Sequence, residues 1–537
     1  MSSLSKTEFC SQGGGRSVIN YSYTDLPWRL LGYDVYYFFR FFWAIPYIVV
    51  PINKPLSGSM SELAPTRQNA FCIAIHVLLC ILQLVFILLL PFAAILPGWI
   101  SALAIGAYLF LNTLICKLLN GKEETYLSTE KYAPKLEQHA HEQWIYLNGV
   151  AAGTHWLQNN LDRLALTFKR PILGIHNKTD GILFDVIECL VQRTFGYATG
   201  DVRLCYRIVK EKLYDPRFSK VILILHSQGG IEGGMVLDWL LQELPQDLLA
   251  KLEVYTFGNA ANHFNNPHRH IGSEESTGPG LSTSASNQTP ATSGTNGVTN
   301  GDHGTARVAR LTREASSSQP SAVSDRVIGH VEHFAHTTDF VALWGVLHFA
   351  TSAVASPSMP RFIGRVFARS SERGGHQFCH HYLDGMFPLK ADASAPGGFS
   401  GCLEAGPDEG QNEFMDSEVV VGAAGDEYSE VHSAYEASWF GGGGGALAGL
   451  KGAAADGSSE VDRLPAAAAA AAGTGAVADT GNGEVTVHSA SPVLSRAGTM
   501  KHVVKVKHLC RLWQYRDGRS PEDAPGGVNG VLRGMTL

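Results

Sequence analysis

Two long apolar runs dominate the pattern of this chain. Residues 70–96 are interrupted only by His76 and Gln83 as strongly polar positions, and residues 100–119 form the second run after Leu96-Pro97-Gly98-Trp99. Each run is long enough to cross about 30 Å of hydrocarbon as a helix. Pro97-Gly98 signals a turn between them. The pattern therefore predicts a transmembrane helical hairpin over 67–122, with a buried helical pair in a soluble core as the alternative. Arg67 before it, and Lys117 and Lys122 at its end, place both termini on the cytoplasmic side and the turn on the far side. Upstream, residues 27–51 are crowded with aromatics around Arg40, with Pro46 as a helix kink. Such a segment suits the headgroup boundary. A third crossing, or aromatic packing against the globular part, are the other readings.

From residue 143 the pattern changes to short apolar runs alternating with amphipathic helices. Residues 143–147 read as a strand leading into a small-residue loop at 148–153. Leu157, Leu161, Leu164 and Phe168 then recur at i, i+4, i+7 and i+11, as one face of a helix. A strand at 172–176 precedes a helix whose apolar face includes Ile182, Val186 and Leu190, with Thr179 or Asp180 as its expected cap. A helix at 202–213 follows. Residues 221–225 are continuously apolar, as a strand covered on both faces requires. A helix over 235–241, strands at 254–257, 326–339 and 362–368, and a short helix at 342–349 complete the series. Strands alternating with helices predict an α/β fold with a doubly wound, mostly parallel sheet.

Composition changes this picture locally. Residues 268–324 are rich in Ser, Thr, Gly and Asn, and read as a disordered insertion. Residues 391–500 contain a Gly run and an Ala run and read as a low-complexity linker, so order is expected to stop near Lys390. A basic, partly apolar tail over 501–537 is expected to dock on the domain or to touch acidic lipid. The expected organisation is a polar tail and aromatic segment (1–66), the hairpin (67–122), a globular domain (123–390), the linker and the tail. The formal net charge of −7 excludes a general polyanion binder, and no nucleic-acid partner is expected. Nine cysteines, an odd number without any C-x-x-C, fit reduced thiols facing the cytosol and offer no metal site. The polar first dozen residues do not read as a signal peptide.

The chemistry concentrates where the 221–225 strand runs into His226-Ser227-Gln228-Gly229-Gly230 and a helix. A strand–turn–helix of this kind holds a serine hydroxyl at the carboxyl edge of a sheet and aims backbone N–H groups at a developing oxyanion. Ser227 is the candidate nucleophile, with a plain helix N-cap as the bland reading. A serine needs a base, and the base an orienting carboxylate. Asp339 follows the strand after the insertion and is the candidate acid, or a helix cap, or both. The base is His376, His380 or His381. His376 is preferred, because Gly374-Gly375 lets its loop approach the serine; His381 is the runner-up. The oxyanion donors are expected to be the backbone N–H groups of Gln228 and Val150. Leu225 stands where G-x-S-x-G has its first Gly, and is expected to crowd the helix against the strand.

With Leu147-Asn148-Gly149-Val150, His226-Ser227-Gln228-Gly229-Gly230, Asp339 and Gly374-Gly375-His376 in this order, residues 144–389 resemble the α/β-hydrolase superfamily, and most of all the lipase-like serine esterases with membrane-associated fungal members. The resemblance implies hydrolysis of an ester, thioester or amide through an acyl-serine, without metal or organic cofactor. Location alone, beside a membrane anchor, points to a lipid or an acylated molecule as substrate, and the positive flanks of the hairpin to an integral membrane protein whose catalytic domain faces the cytosol.

Overall fold

The computed structural model describes residues 7–10, 26–267, 269, 326–351, 362–371, 373–405, 412–421 and 505–521. The expected insertion at 268–324, apart from residue 269, and most of the 391–500 linker lie outside the described residues.

The centre is a sheet of six parallel strands in the order β8-β7-β6-β5-β3-β4. These are β3 (Glu142–Leu147), β4 (Ile172–Ile175), β5 (Lys220–His226), β6 (Leu252–Phe257), β7 (His330–His336) and β8 (Arg365–Arg369). Antiparallel β2 (Thr125–Leu127) extends one edge beside β4. At the other edge β1 (Thr7–Cys10) pairs antiparallel with β8, and a short strand, Val419–Val421, pairs parallel with β1. Successive side chains of a strand point to opposite faces, and the core divides accordingly. Ile145, Leu147, Val221, Leu223 and Leu225 pack on one face with α6 (Gly200–Tyr214) and α7 (Gln228–Glu243). Trp144, Tyr146, Ile222 and Ile224 pack on the other with α4 (Thr154–Phe168). Both faces are covered, so β5 is apolar at consecutive positions rather than at alternate ones.

α5 (Ile182–Phe195) follows β4. Its N-cap is Gly181, not Thr179 or Asp180. Thr179 Oγ1 instead accepts from the Gly181 N–H (3.0 Å) and donates to Asp185 (2.6 Å).

Order does not stop at Lys390. Leu389–Ala391 and Phe399–Cys402 pair as a hairpin, and Val506, Cys510, Leu512, Trp513 and Tyr515 are buried in the α4 side of the core. Among the described residues the basic tail therefore docks. The reason lies at the amino ends of the strands, where Glu142, Glu253 and Glu332 are buried. Arg511 lies 2.7 Å from Glu253, and the Arg511 N–H donates to Glu332 (2.8 Å). Arg170 pairs with Glu142 (2.6 Å) and donates to the carbonyls of Tyr515 and Arg519. Buried carboxylates require such partners. The N-terminal segment is likewise not only a tail, since β1 belongs to the sheet.

Two helices are long and apolar enough to cross a membrane, one within 67–95 and one within 98–116. They comprise α2 (Arg67–Leu89) and α3 (Gly98–Cys116). The aromatic segment forms α1 (Pro27–Arg40) and a 3₁₀ stretch, Phe42–Ile48. One side packs on the globular part, with Tyr37 3.9 Å from His348 and Phe38 5.3 Å from Phe340 between ring centroids. The other side leaves Trp28, Tyr33, Tyr36, Phe39, Phe42 and Trp43 exposed.

Candidate active site

Ser227 sits between β5 and α7 with φ 57° and ψ −120°. A left-handed φ is unfavourable for any side chain but glycine, so the turn must be held from outside. Its N–H donates to Phe257 O (3.0 Å), and its carbonyl accepts from Gly230 (2.9 Å) and Ala260 (3.2 Å). Glycines make the turn possible. A Cβ on Gly229 would stand 2.7 Å from Leu147 O, and one on Gly230 would collide with Asn259. Leu225 does not crowd the helix as its bulk predicts. The α7 residue facing it is Gly233, where a Cβ would collide with the Leu225 side chain. The space missing at position 225 is supplied eight residues later.

His376 Nε2 lies 2.9 Å from Ser227 Oγ, and His376 Nδ1 lies 2.9 Å from Asp339 Oδ2. The three residues predicted from chain order thus form one continuous hydrogen-bonded chain. Asp339 also accepts from Tyr382 Oη (2.6 Å) at Oδ2, and from the N–H groups of Val341 and Ala342 at Oδ1. It therefore caps the helix Phe340–Trp344 and orients the imidazole at once. Burial pushes its carboxyl up, but the facing His376 and these donors outweigh burial and hold it below the usual carboxylate range. Gly258, with φ +53°, brings the backbone against the pair; a Cβ there would lie 2.7 Å from Asp339 Oδ2 and 2.9 Å from His376 Nδ1.

The other two histidines do not reach the serine. His381 Nδ1 accepts from the Gln377 N–H (2.9 Å), while its Nε2 faces Pro51 O (3.1 Å). His380 faces Ser61 Oγ and the Asn53 N–H. Both tie the loop and π-helical turn Phe378–Leu383 to the segment after α1. Burial, then the neighbouring His380, lower His381 to about 3, so it stays neutral. His226 was not singled out from sequence. Its ring stacks on His376 at 4.8 Å, and its Nε2 lies 3.0 Å from the His376 carbonyl. Burial first, then His376, lower it to about 3, so a neutral ring supports the loop.

Of the expected oxyanion donors, Gln228 is the first residue of α7, where N–H groups lack intrahelical acceptors, and Val150 lies in the loop after β3. That loop passes directly over the serine, since a Cβ on Gly149 would collide with Ser227. A polar network fixes it. Asn148 and Asn177 exchange side-chain and backbone hydrogen bonds (2.8 and 3.0 Å), and Asn177 Nδ2 donates to Gln228 (2.9 Å) and Glu232 (2.8 Å). The Ala151 N–H donates to buried Asp185 (2.9 Å). Ser227 and His376 keep only 2% and 4% of their surface exposed, so the site is covered. The segment after α1 forms part of its surroundings, as the His376 N–H donates to Tyr47 O (3.2 Å) and Gln377 Nε2 to Ile48 O (2.9 Å).

Among the described residues no group of three or more His, Cys, Asp or Glu side chains is arranged to hold a metal ion. Tyr382 and Gly258 escaped the sequence reading, and His226 entered it as part of the motif around Ser227, without a role of its own. Of the three only His226 carried a local signal, its place directly before Ser227. Comparison with family models, with curated proteins and with solved structures finds no match.

Proposed function

We propose that this chain is a membrane-associated serine hydrolase of the α/β-hydrolase type, cleaving an ester or thioester through an acyl-serine. The observation that carries this reading is the Ser227–His376–Asp339 relay on a positive-φ turn at the carboxyl end of a central parallel strand. His376 Nε2 takes the Ser227 proton as Oγ attacks the carbonyl carbon. The N–H groups of Gln228 and Val150 receive the developing oxyanion. The leaving oxygen or sulfur departs with the proton from Nε2, and water, deprotonated by the same nitrogen, frees the acyl group. Asp339 stays ionised and keeps Nδ1 protonated. No metal or organic cofactor takes part in these steps. The apolar hairpin and α1 favour a lipid ester or an acylated protein as substrate, with the catalytic domain on the cytosolic side. Eight cysteines, Cys72 to Cys510, are free, which accords with that compartment.

A catalytically silent hydrolase scaffold that binds a partner is the rival. Its sequence support was the crowding expected of Leu225, which Gly233 relieves. A fluorophosphonate probe decides between them. The wild type is expected to be labelled and Ser227→Ala to lose the label; a folded wild type that takes no label would establish the scaffold reading.

A further inference from the structure

The buried positions of α2 are Asn69, Cys72, His76, Leu79 and Gln83, spaced three and four residues apart. That spacing is a packing seam along one side of a helix, and its polar members bond to the globular part. Trp156 Nε1 donates to Asn69 (3.0 Å). His76 stacks on Trp156 and reaches Ala151 O (2.9 Å) in the loop over the serine. Gln83 donates to Asp180 O (2.6 Å) and accepts from the Leu183 N–H (3.2 Å). Asn112 of α3 donates to the same Asp180 carbonyl (2.9 Å). Higher up, Phe86 and Tyr108 pack against Phe184 of α5.

The hairpin is therefore fastened to the domain along most of its length, and residues 87–107 alone project beyond these contacts. The free part of α3, residues 98–107, rises about 15 Å at 1.5 Å per residue. Hydrocarbon is about 30 Å thick. A full crossing has to strip the seam from the domain; Gln83 and Asn112 would keep their own bond (3.0 Å), but His76, the Leu183 N–H and the Ala151 and Asp180 carbonyls would lose these partners in lipid. The projecting tip is apolar and exposed at Phe92, Ile95, Leu96, Trp99 and Leu103. Beside it α1 exposes aromatics, and α5, which both α1 and α2 contact, exposes Ile187 and Phe195. Aromatic side chains in such a belt prefer the headgroup level.

We propose that the protein seats in one leaflet only. The hairpin tip ends among the acyl chains, and α1 lies in the headgroup plane beside it. The same surface continues through the segment after α1, which holds the His376 loop at Tyr47, Ile48 and Pro51. The substrate class this seating presents to Ser227 is an acyl-ester lipid of that leaflet, a step that rests on the hydrolase reading above.

The test uses the full chain carrying Gly98→Cys, a position with open space around it, bound to preformed phosphatidylcholine vesicles. Labelling with a membrane-impermeant maleimide is measured over the wild-type background. The expected result is loss of tip labelling both by reagent outside and by reagent trapped inside, restored when detergent dissolves the vesicles. Labelling from inside reveals a crossing, and labelling from outside reveals a tip in water; either overturns the proposal. For the substrate, Trp28→Ser/Phe39→Ser/Trp43→Ser is expected to retain cleavage of a short water-soluble ester and to lose cleavage of vesicle lipid. Equal loss on both substrates, or loss on neither, overturns the leaflet route. A wild type inert toward both substrates refutes the hydrolase reading and with it the substrate class, while the seating stands or falls on the maleimide result.

Discussion

Gly258 shows how tightly single atoms are used around Asp339 and His376. Its φ of +53° is unfavourable for any side chain, and a Cβ there would press on Asp339 Oδ2 and His376 Nδ1 together. Gly258→Ala should therefore separate chemistry from folding. The left-handed conformation alone costs about 1–2 kcal/mol, while a displaced imidazole lowers reactivity by about 100-fold. Fluorophosphonate labelling rates beside thermal melts check this, and an unchanged labelling rate would remove Gly258 from the argument. Asp339 is used twice at the same scale. One carboxylate oxygen starts the next helix and the other holds the base, so a single residue couples local folding to the orientation of His376.

Among the elements, β5 and α7 meet through a compensation between two positions. Leu225 fills the space that Gly233 leaves. Gly233→Ala is expected to destabilise the protein by about 1–3 kcal/mol through overpacking, and Leu225→Ala by about 2–5 kcal/mol through the cavity it opens. In the double variant the added methyl enters that cavity. The double variant should then lose less than the sum of the two single losses, with a coupling of about 0.5–3 kcal/mol. Urea unfolding of the four proteins measures it, and strict additivity would show that the two side chains do not compete for one space.

Over the whole molecule, the candidate site and the carboxylate-rich floor lie at opposite ends of the sheet. Ser227, His376 and Asp339 lie toward the carboxyl end of the parallel strands, whereas the C-terminal tail closes the amino end around Glu142, Glu253 and Glu332. Burial pushes Glu253 up, but Arg511 and Lys220 outweigh it and hold the carboxyl at about 2. A depressed carboxyl contributes stability that is present above the unfolded value of about 4.3 and is lost as pH falls through the folded one. Arg511→Ala leaves that buried charge short of its main partner and should cost about 3–5 kcal/mol at neutral pH. Between pH 5 and pH 3 the wild type should lose more stability than the variant. Thermal melts at the two pH values check the sign, and parallel curves would remove the pair as a source of acid sensitivity.

What could be read in the chain by itself was whatever neighbours in sequence decide. The apolar hairpin, the alternation of strands and helices, and the strand–serine–glycine turn all follow from periodicity and from the conformations open to adjacent residues. Ser227, Asp339 and His376 were found because each follows a strand, and parallel strands bring their carboxyl ends together. The tertiary structure alone decided which of three nearby histidines faces the serine, since His380 and His381 are turned toward the segment after α1. It alone paired Leu225 with Gly233 and seated Tyr382 on Asp339. It also placed β1 and the C-terminal tail in the domain, although polar or low-complexity sequence separates them from it. Such contacts join residues far apart along the chain, and their energy depends on shape and on unpaired charge at the meeting place, which no window of sequence contains.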